Sequence, residues 1–148
     1  MISKLIKSIR QPQFAVTFSK LTIFLACVHF ILETLHAIAF GQSFLGLLPD
    51  YIAVGLMISG GFAAMRNYDA RGILCGAWGF AFCLHYRSWA WRYEAVLHGT
   101  ATSVNEITMY VLAATMLVSI VCFVVSLLLC LPGKSDVIGV GPEVDSAE

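Results

Sequence analysis

The stretch LTIFLACVHFILETLHAIAF, residues 21–40, is predominantly apolar and is followed by Gly41. A helix of about 20 such residues is long enough to cross the hydrocarbon core of a bilayer, which is about 30 Å thick. The stretch is longer than the roughly 7–15 apolar residues of a signal peptide, and no clear small-residue cleavage site accompanies it. We therefore predict that residues 21–40 form a retained membrane crossing that ends at Gly41.

The composition of the whole chain agrees with a membrane protein. Of its 148 residues, 59% are hydrophobic and 12% are charged, whereas a soluble domain is closer to about half apolar and about a quarter charged. A soluble fold of this length could not hide that much apolar surface. The formal net charge is zero, so the charge gives no reason to expect a nucleic-acid partner. The predicted principal partner is the lipid bilayer.

Three further apolar segments have lengths suited to crossings. The four predicted crossings lie at about residues 21–40, 50–65, 71–92 and 107–131. Pro49 and Asp50 are placed to begin the second helix, and Ser103 and Glu106 have the spacing of a capping box just before the fourth. The predicted fold class is an all-α integral membrane protein, with a four-transmembrane-helix bundle in residues 21–131.

The two ends of the chain differ from this bundle. Residues 1–20 are basic and carry apolar side chains with the spacing of one helical face. This pattern predicts a short amphipathic N-terminal helix that lies on the membrane surface and ends at Pro12. Residues 132–148 are acidic and poor in apolar side chains, which predicts a disordered cytoplasmic tail. The apolar face of the N-terminal segment consists of Ile2, Leu5, Ile6 and Ile9.

The distribution of basic residues predicts the orientation of the chain. Basic residues of bacterial-type membrane proteins accumulate on the cytoplasmic side of the crossings. With both termini inside the cell, only Arg87 and Arg92 would lie on the outer side. We therefore predict a multi-pass protein of the cell (inner) membrane with cytoplasmic N- and C-termini. The basic residues of the predicted inner side are Lys4, Lys7, Arg10, Lys20, Arg66, Arg71 and Lys134.

Three polar residues share one stripe of the first crossing. His29, Glu33 and His36 follow each other at i, i+4 and i+7, which places them on one side of a helix. An ionised group at membrane depth costs several kcal/mol on most scales, so Glu33 needs a partner inside the bundle. Counting about 1.5 Å per residue, His36 lies roughly 22 Å from the inner surface, and His85 and Arg87 lie roughly 21–24 Å from Arg71. The sequence thus predicts a buried polar layer in the outer half of the bundle.

Four interpretations of this layer are open. The first is a structural network in which Glu33 pairs with Arg87 or with a histidine and orients the helices. The second is a b-type haem held axially by His36 and His85, with Glu33 and Arg87 as charge partners, because two helices of a bundle can each supply one ligand.

The other two interpretations use the same residues differently. A metal centre is suggested by the spacing of His29, Glu33 and His36, which are weak candidates because the chain lacks a second matching Glu-x-x-His pair. The alternative is a pocket for a quinone, a lipid or a small solute, in which histidine and carboxylate side chains would bind polar head atoms or move protons.

The functional prediction follows from this layer and from what the chain lacks. Phosphate-binding loops, nucleophile elbows and zinc-protease motifs are missing from the sequence, so no catalytic residue is predicted. The five cysteines are predicted to be buried thiols. We predict a small polytopic membrane protein with an accessory, structural or ligand-holding role in a homo-oligomer or larger membrane complex. The alternative is a redox subunit that binds b-type haem or quinone between the first and third helices.

Overall fold

The computed structural model describes residues 6, 8, 9 and 11–131. This part of the chain is helical, which confirms the all-α prediction for it, and it contains four long helices joined by loops of three to five residues. The predicted tail and most of the predicted N-terminal surface helix lie outside the described residues. The helices are α1 (Pro12–Phe40), α2 (Phe44–Arg66), α3 (Arg71–Leu97) and α4 (Ser103–Cys130).

Helix α1 is longer than the predicted crossing. It begins at Pro12, whose fixed backbone angle suits the first position of a helix and whose missing N–H would have no helical acceptor there. Residues 12–20 therefore continue directly into the predicted crossing. The helix ends as predicted at Gly41, which has a φ of 65° and donates its N–H to the carbonyl oxygen of Ala37.

Helix α2 begins earlier than predicted. The hydroxyl of Ser43 accepts a hydrogen bond from the Gly46 N–H at 3.3 Å, which caps a helix that starts at Phe44. Pro49 lies inside this helix rather than at its start. Its ring cannot donate a hydrogen bond to the carbonyl of Leu45, so one bond of the helix is absent there.

Helix α3 extends past the predicted crossing of residues 71–92, and α4 differs from the prediction at its first turn. Helix α3 continues to Leu97, and Gly99 follows it with a φ of 67°. Helix α4 is capped by Thr102 rather than by Ser103, because the Thr102 hydroxyl accepts from the Asn105 N–H at 3.3 Å. Thr102 therefore takes the cap position that was predicted for Ser103, and α4 starts before the predicted apolar run.

Consecutive helices pack side by side as α1–α2, α2–α3 and α3–α4. Small residues allow the closest approach: a Cβ placed on Gly60 of α2 would lie 3.0 Å from the Cα of Leu74 in α3. Helices α1 and α4 are the first and the last helix in this packing order. They do not pack closely against each other within the described part of the chain. The bundle consequently has one loosely closed side.

Three of the four helices are long and apolar enough to cross a membrane. They are α1, α2 and α4, and they expose many large apolar side chains, such as Ile38, which is 75% exposed. Such a surface suits contact with lipid. Helix α3 does not meet this criterion of length and apolar composition. Its second half is interrupted by His85, Arg87, Arg92 and Glu94.

Candidate functional site

Each of the four helices contributes one polar side chain to a row of contacts through the bundle. Asp50 of α2 places its Oδ1 atom 3.8 Å from Nε2 of His29 in α1. The ring of His29 meets the ring of His85 in α3 edge to face, with 5.4 Å between their centroids. Nδ1 of His85 is hydrogen-bonded to Oγ of Ser119 in α4 at 2.8 Å. We call these four residues the polar row.

A second contact between α1 and α3 sets the level at which the two histidines meet. The indole N–H of Trp78 donates to the Thr22 hydroxyl at 3.0 Å, and both side chains are buried. Thr22 and Trp78 each precede their histidine by seven residues. Two turns of helix cover about seven residues, so the two contacts repeat along a pair of helices that run in the same direction.

A cavity of about 270 Å³ adjoins the polar row. Four of its lining residues, His29, His85, Thr115 and Ser119, are polar, and the others are apolar or aromatic. Ligand pockets in proteins have this character, with a few polar groups on an apolar wall, and typically measure about 300–1,000 Å³. The apolar walls are formed by Leu25, Val28, Leu32, Ala53, Met57, Trp78, Ala81, Leu84, Ala114 and Val118.

The cavity lies on the loosely closed side of the bundle. Leu32 of α1 and Val118 of α4 both line it, and they are 60% and 49% exposed. Since α1 and α4 are the helices that do not pack closely together, the opening lies between them. Its rim is apolar, whereas the deeper wall carries the histidines.

His85 has one ring nitrogen available for a ligand. Its Nδ1 is engaged by Ser119, while Nε2 has no hydrogen-bond partner among the described residues. When the Ser119 hydroxyl donates to Nδ1, Nε2 carries the proton and can donate; in the other tautomer Nδ1–H donates to Ser119 and Nε2 accepts. The same nitrogen can therefore bind a carbonyl oxygen or a hydroxyl group.

The predicted site residues are only partly brought together. His29 and His85 lie in contact, whereas Glu33 lies one turn further along α1. The one ion pair among the described residues joins His29 and Asp50, so the predicted pair of Glu33 and Arg87 is not formed there. Arg87 is exposed. The polar layer is thus centred one helical turn nearer the start of α1 than predicted.

His36, the predicted partner of His85, lies two turns beyond His29. Its ring packs on Phe40, with 4.6 Å between centroids, and its buried Nδ1 has no hydrogen-bond partner within the described part of the chain. Continuing the seven-residue register of α1 and α3 brings His36 to the level of Arg92, whose buried Nε is also without a partner there. His85 therefore faces His29 instead of His36.

The positions of the histidine, cysteine and acidic side chains can be compared with those that a haem or a metal ion would need. The rings of His29 and His85 touch edge to face, and this leaves no space for an iron and a macrocycle between them. Across residues 6, 8, 9 and 11–131, no group of three or more histidine, cysteine, aspartate or glutamate side chains is arranged to hold a metal ion.

Sequence reasoning missed two members of the polar row. Asp50 was interpreted as part of a helix start, although it lies well inside α2. Ser119 belongs with Thr108, Thr115 and Ser126 to a stripe of hydroxyl residues on α4, a pattern that is typical of close helix packing. Other members of that stripe do bond to their own helix, as Ser126 does to the Phe123 carbonyl at 2.7 Å. The sequence carried no signal that Ser119 differs from them.

No protein-family model, curated protein or solved structure matches this chain.

Proposed function

We propose that this protein holds a lipophilic ligand with a single-ring polar head, such as a quinone, in the cavity between α1 and α4. The observation that carries the proposal is the position of the polar row at the inner wall of an apolar cavity with an apolar rim. This is the ligand-holding form of the accessory role predicted from the sequence. Membership of an oligomer or of a larger membrane complex stays a prediction.

The proposal includes α3 as a fourth membrane crossing. Helix α3 has 27 residues, which corresponds to roughly 40 Å. Loops of four and five residues join α3 to α2 and to α4, and α3 packs side by side with both helices, so α3 runs antiparallel to both. The chain must therefore return across the bundle through α3. Two of its polar side chains agree with this placement, because His85 is engaged inside the bundle and Arg92 donates to the Ser88 carbonyl of its own helix at 3.1 Å.

The side on which the cavity opens favours a ligand that arrives through the bilayer. Leu32 and Val118 at the rim offer no polar contact and face the surroundings of an apolar bundle. A water-soluble ligand would have to cross lipid to reach this opening, whereas a lipophilic one is already concentrated there. The cavity volume of about 270 Å³ suits a ring-sized head, with the apolar tail outside the bundle.

The polar row can recognise the head of a quinone in both of its redox states. Nε2 of His85 donates to a carbonyl oxygen in one tautomer and accepts from a hydroxyl group in the other. Ser119 supports either tautomer because a hydroxyl both donates and accepts. Asp50 lies on the far side of His29, with its Oδ1 atom 3.8 Å from Nε2 of that ring.

The proposal is tested on protein purified in mild detergent. Organic extraction and mass spectrometry of the wild type should yield one lipophilic ring compound in near-stoichiometric amount. His85→Ala should lose most of it, because the head loses its hydrogen-bond partner. His98→Ala is the matched control: His98 is an exposed histidine just past α3, with its Nδ1 bonded to the Glu94 carbonyl of the same segment.

The same samples distinguish a quinone-type ligand from haem and from a purely structural polar row. A visible spectrum with an intense Soret band and matching iron content would replace the quinone-type ligand with haem. An extract that contains only bulk lipid in equal amounts from all three proteins would contradict a ligand-holding role for this cavity and favour a purely structural polar row.

A further inference from the structure

A second cavity, of about 280 Å³, lies at the opposite end of the bundle from the loop that joins α3 to α4. The loop between α2 and α3, the start of α3 and the end of α4 line this open cavity. The hydroxyl of Tyr68 donates to the carbonyl oxygen of Leu131 at 3.3 Å and ties this loop to the end of α4. The residues around the cavity are Tyr68, Asp69, Arg71, Gly72 and Cys130.

The guanidinium group of Arg71 is the least expected feature of this cavity. Arg71 is only 8% exposed, and its buried Nε has no hydrogen-bond partner among the described residues. Its guanidinium carbon lies 4.2 Å from the centroid of the Tyr68 ring. A buried charge with an unused donor is costly unless an anion completes it. The planar donors of arginine match the oxygens of a phosphate group.

The backbone at this point also favours an anion. Arg71 is the first residue of α3, and no side chain caps that helix end; no acidic residue lies in its first turn. The N–H groups of Arg71 and Ile73 donate to the carbonyl oxygens of Tyr68 and Ala70, but the helix dipole still gives this terminus a partial positive charge. Gly72 leaves the approach open, since a Cβ placed there would meet no atom within 4 Å. The helix end and the buried guanidinium therefore favour the same kind of group.

A simple anion would not use the whole cavity, because Asp69 lines it as well. One cationic and one anionic side chain match a ligand that carries both charges close together. In a phosphoethanolamine group the phosphate would face Arg71 and the helix end, and the ammonium would face Asp69. A trimethylammonium group lacks the N–H donors that a carboxylate accepts, so choline fits less well.

From this geometry we infer that the cavity around Arg71 binds the head group of phosphatidylethanolamine at the membrane boundary. Helices α2 and α4 end and α3 begins at this level, where lipid head groups lie. Tyr68 is 46% exposed, as is usual for aromatic side chains at head-group depth. This site is separate from the cavity between α1 and α4, and it does not depend on the ligand proposed there.

Lipid competition measured by native mass spectrometry tests the inference. The full chain is released from nanodiscs that contain equimolar phosphatidylethanolamine, phosphatidylglycerol and phosphatidylcholine with identical acyl chains. We expect the wild type to retain phosphatidylethanolamine preferentially, and Arg71→Gln to reduce that retention on the order of tenfold, since a charge-assisted hydrogen bond is lost. Arg66→Gln, which changes an exposed arginine at the same end of the bundle, should leave the preference unchanged.

Asp69→Asn supplies a variant that should fold, because Asp69 is exposed. Removing its charge should shift retention from phosphatidylethanolamine towards phosphatidylglycerol. Equal retention of the three lipids by the wild type, an unchanged preference in Asp69→Asn, or an equal loss in Arg66→Gln and Arg71→Gln would each overturn the inference. Added O-phosphoethanolamine distinguishes a lipid head group from a free phosphoester as the ligand. If it displaces the lipid at matched concentration, the site binds a free phosphoester instead.

Discussion

The rings of His29 and His85 meet edge to face with 5.4 Å between their centroids, although their helices stand on either side of α2 in the packing order. This contact joins the Asp50–His29 pair to the His85–Ser119 hydrogen bond. One polar side chain from every helix is thereby connected inside an otherwise apolar bundle. The contact also defines the inner wall of the cavity between α1 and α4.

The first prediction concerns the Ser119 side of the polar row. Ser119→Ala removes the partner of His85 Nδ1, and we expect it to lower the free energy of unfolding by about 0.6–2 kcal/mol, the usual range for hydrogen bonds between membrane helices. Ser126→Ala is the control, because Ser126 is equally buried but bonds within its own helix. Unfolding in mixed micelles measures both. Equal losses would mean that the bond to His85 adds nothing to stability.

A second prediction concerns the hydrogen bond that aligns α1 with α3. Thr22→Val keeps the shape of the side chain but leaves the buried Trp78 N–H without its acceptor. We expect a loss of about 1–3 kcal/mol in the free energy of unfolding. Thr17→Val changes an exposed threonine whose hydroxyl bonds to the Gln13 carbonyl of its own helix, and should be nearly neutral. A Thr22→Val protein as stable as Thr17→Val would contradict this role.

The third prediction concerns the close approach of α2 and α3. Gly60→Ala would place a Cβ 3.0 Å from the Cα of Leu74, a backbone atom that cannot move aside alone. We expect the helices to separate, with a loss of about 1–3 kcal/mol in the free energy of unfolding. Gly55→Ala meets no atom within 4 Å and should leave stability unchanged or slightly raised. Thermal unfolding of the pair in one detergent compares them.

The fourth prediction tests α3 as a membrane crossing. In a cysteine-free background, Asn67→Cys and Thr100→Cys place single thiols in the loops at the two ends of α3. A membrane-impermeant maleimide added to intact cells should label Thr100→Cys, and should label Asn67→Cys only after permeabilisation. Labelling of both thiols from the same side would show that α3 does not cross, and the proposed topology would then be abandoned.

The sequence predicted much of this fold because its signals are local. The end of α1 at Gly41 follows from backbone preferences that neighbouring residues determine. Ser43 and Thr102 as caps were missed because several residues near each helix start could fill that position. The apolar composition of α1, α2 and α4 predicted their suitability for a membrane directly.

The candidate site was less predictable because it depends on the register between helices. His29, Glu33 and His36 share one stripe, and only packing decides which of them stands at the level of His85. The Thr22–Trp78 bond and the close approach of Gly60 to Leu74 determine that level. Neither contact has a signature in a single helix. His85 was therefore identified, whereas its partner His29 was ranked below His36.

Binding of decylubiquinone to two phenylalanine variants of α4 tests the central claim most directly. Val118 lines the cavity, whereas Val121 is also exposed but does not line it. Both changes are made together with Trp89→Phe and Trp91→Phe, so that the fluorescence comes from Trp78 in the cavity wall. We expect saturable quenching in Val121→Phe and affinity reduced on the order of tenfold or more in Val118→Phe, whose larger ring fills the opening. Identical quenching curves for the two variants would contradict a ligand site between α1 and α4.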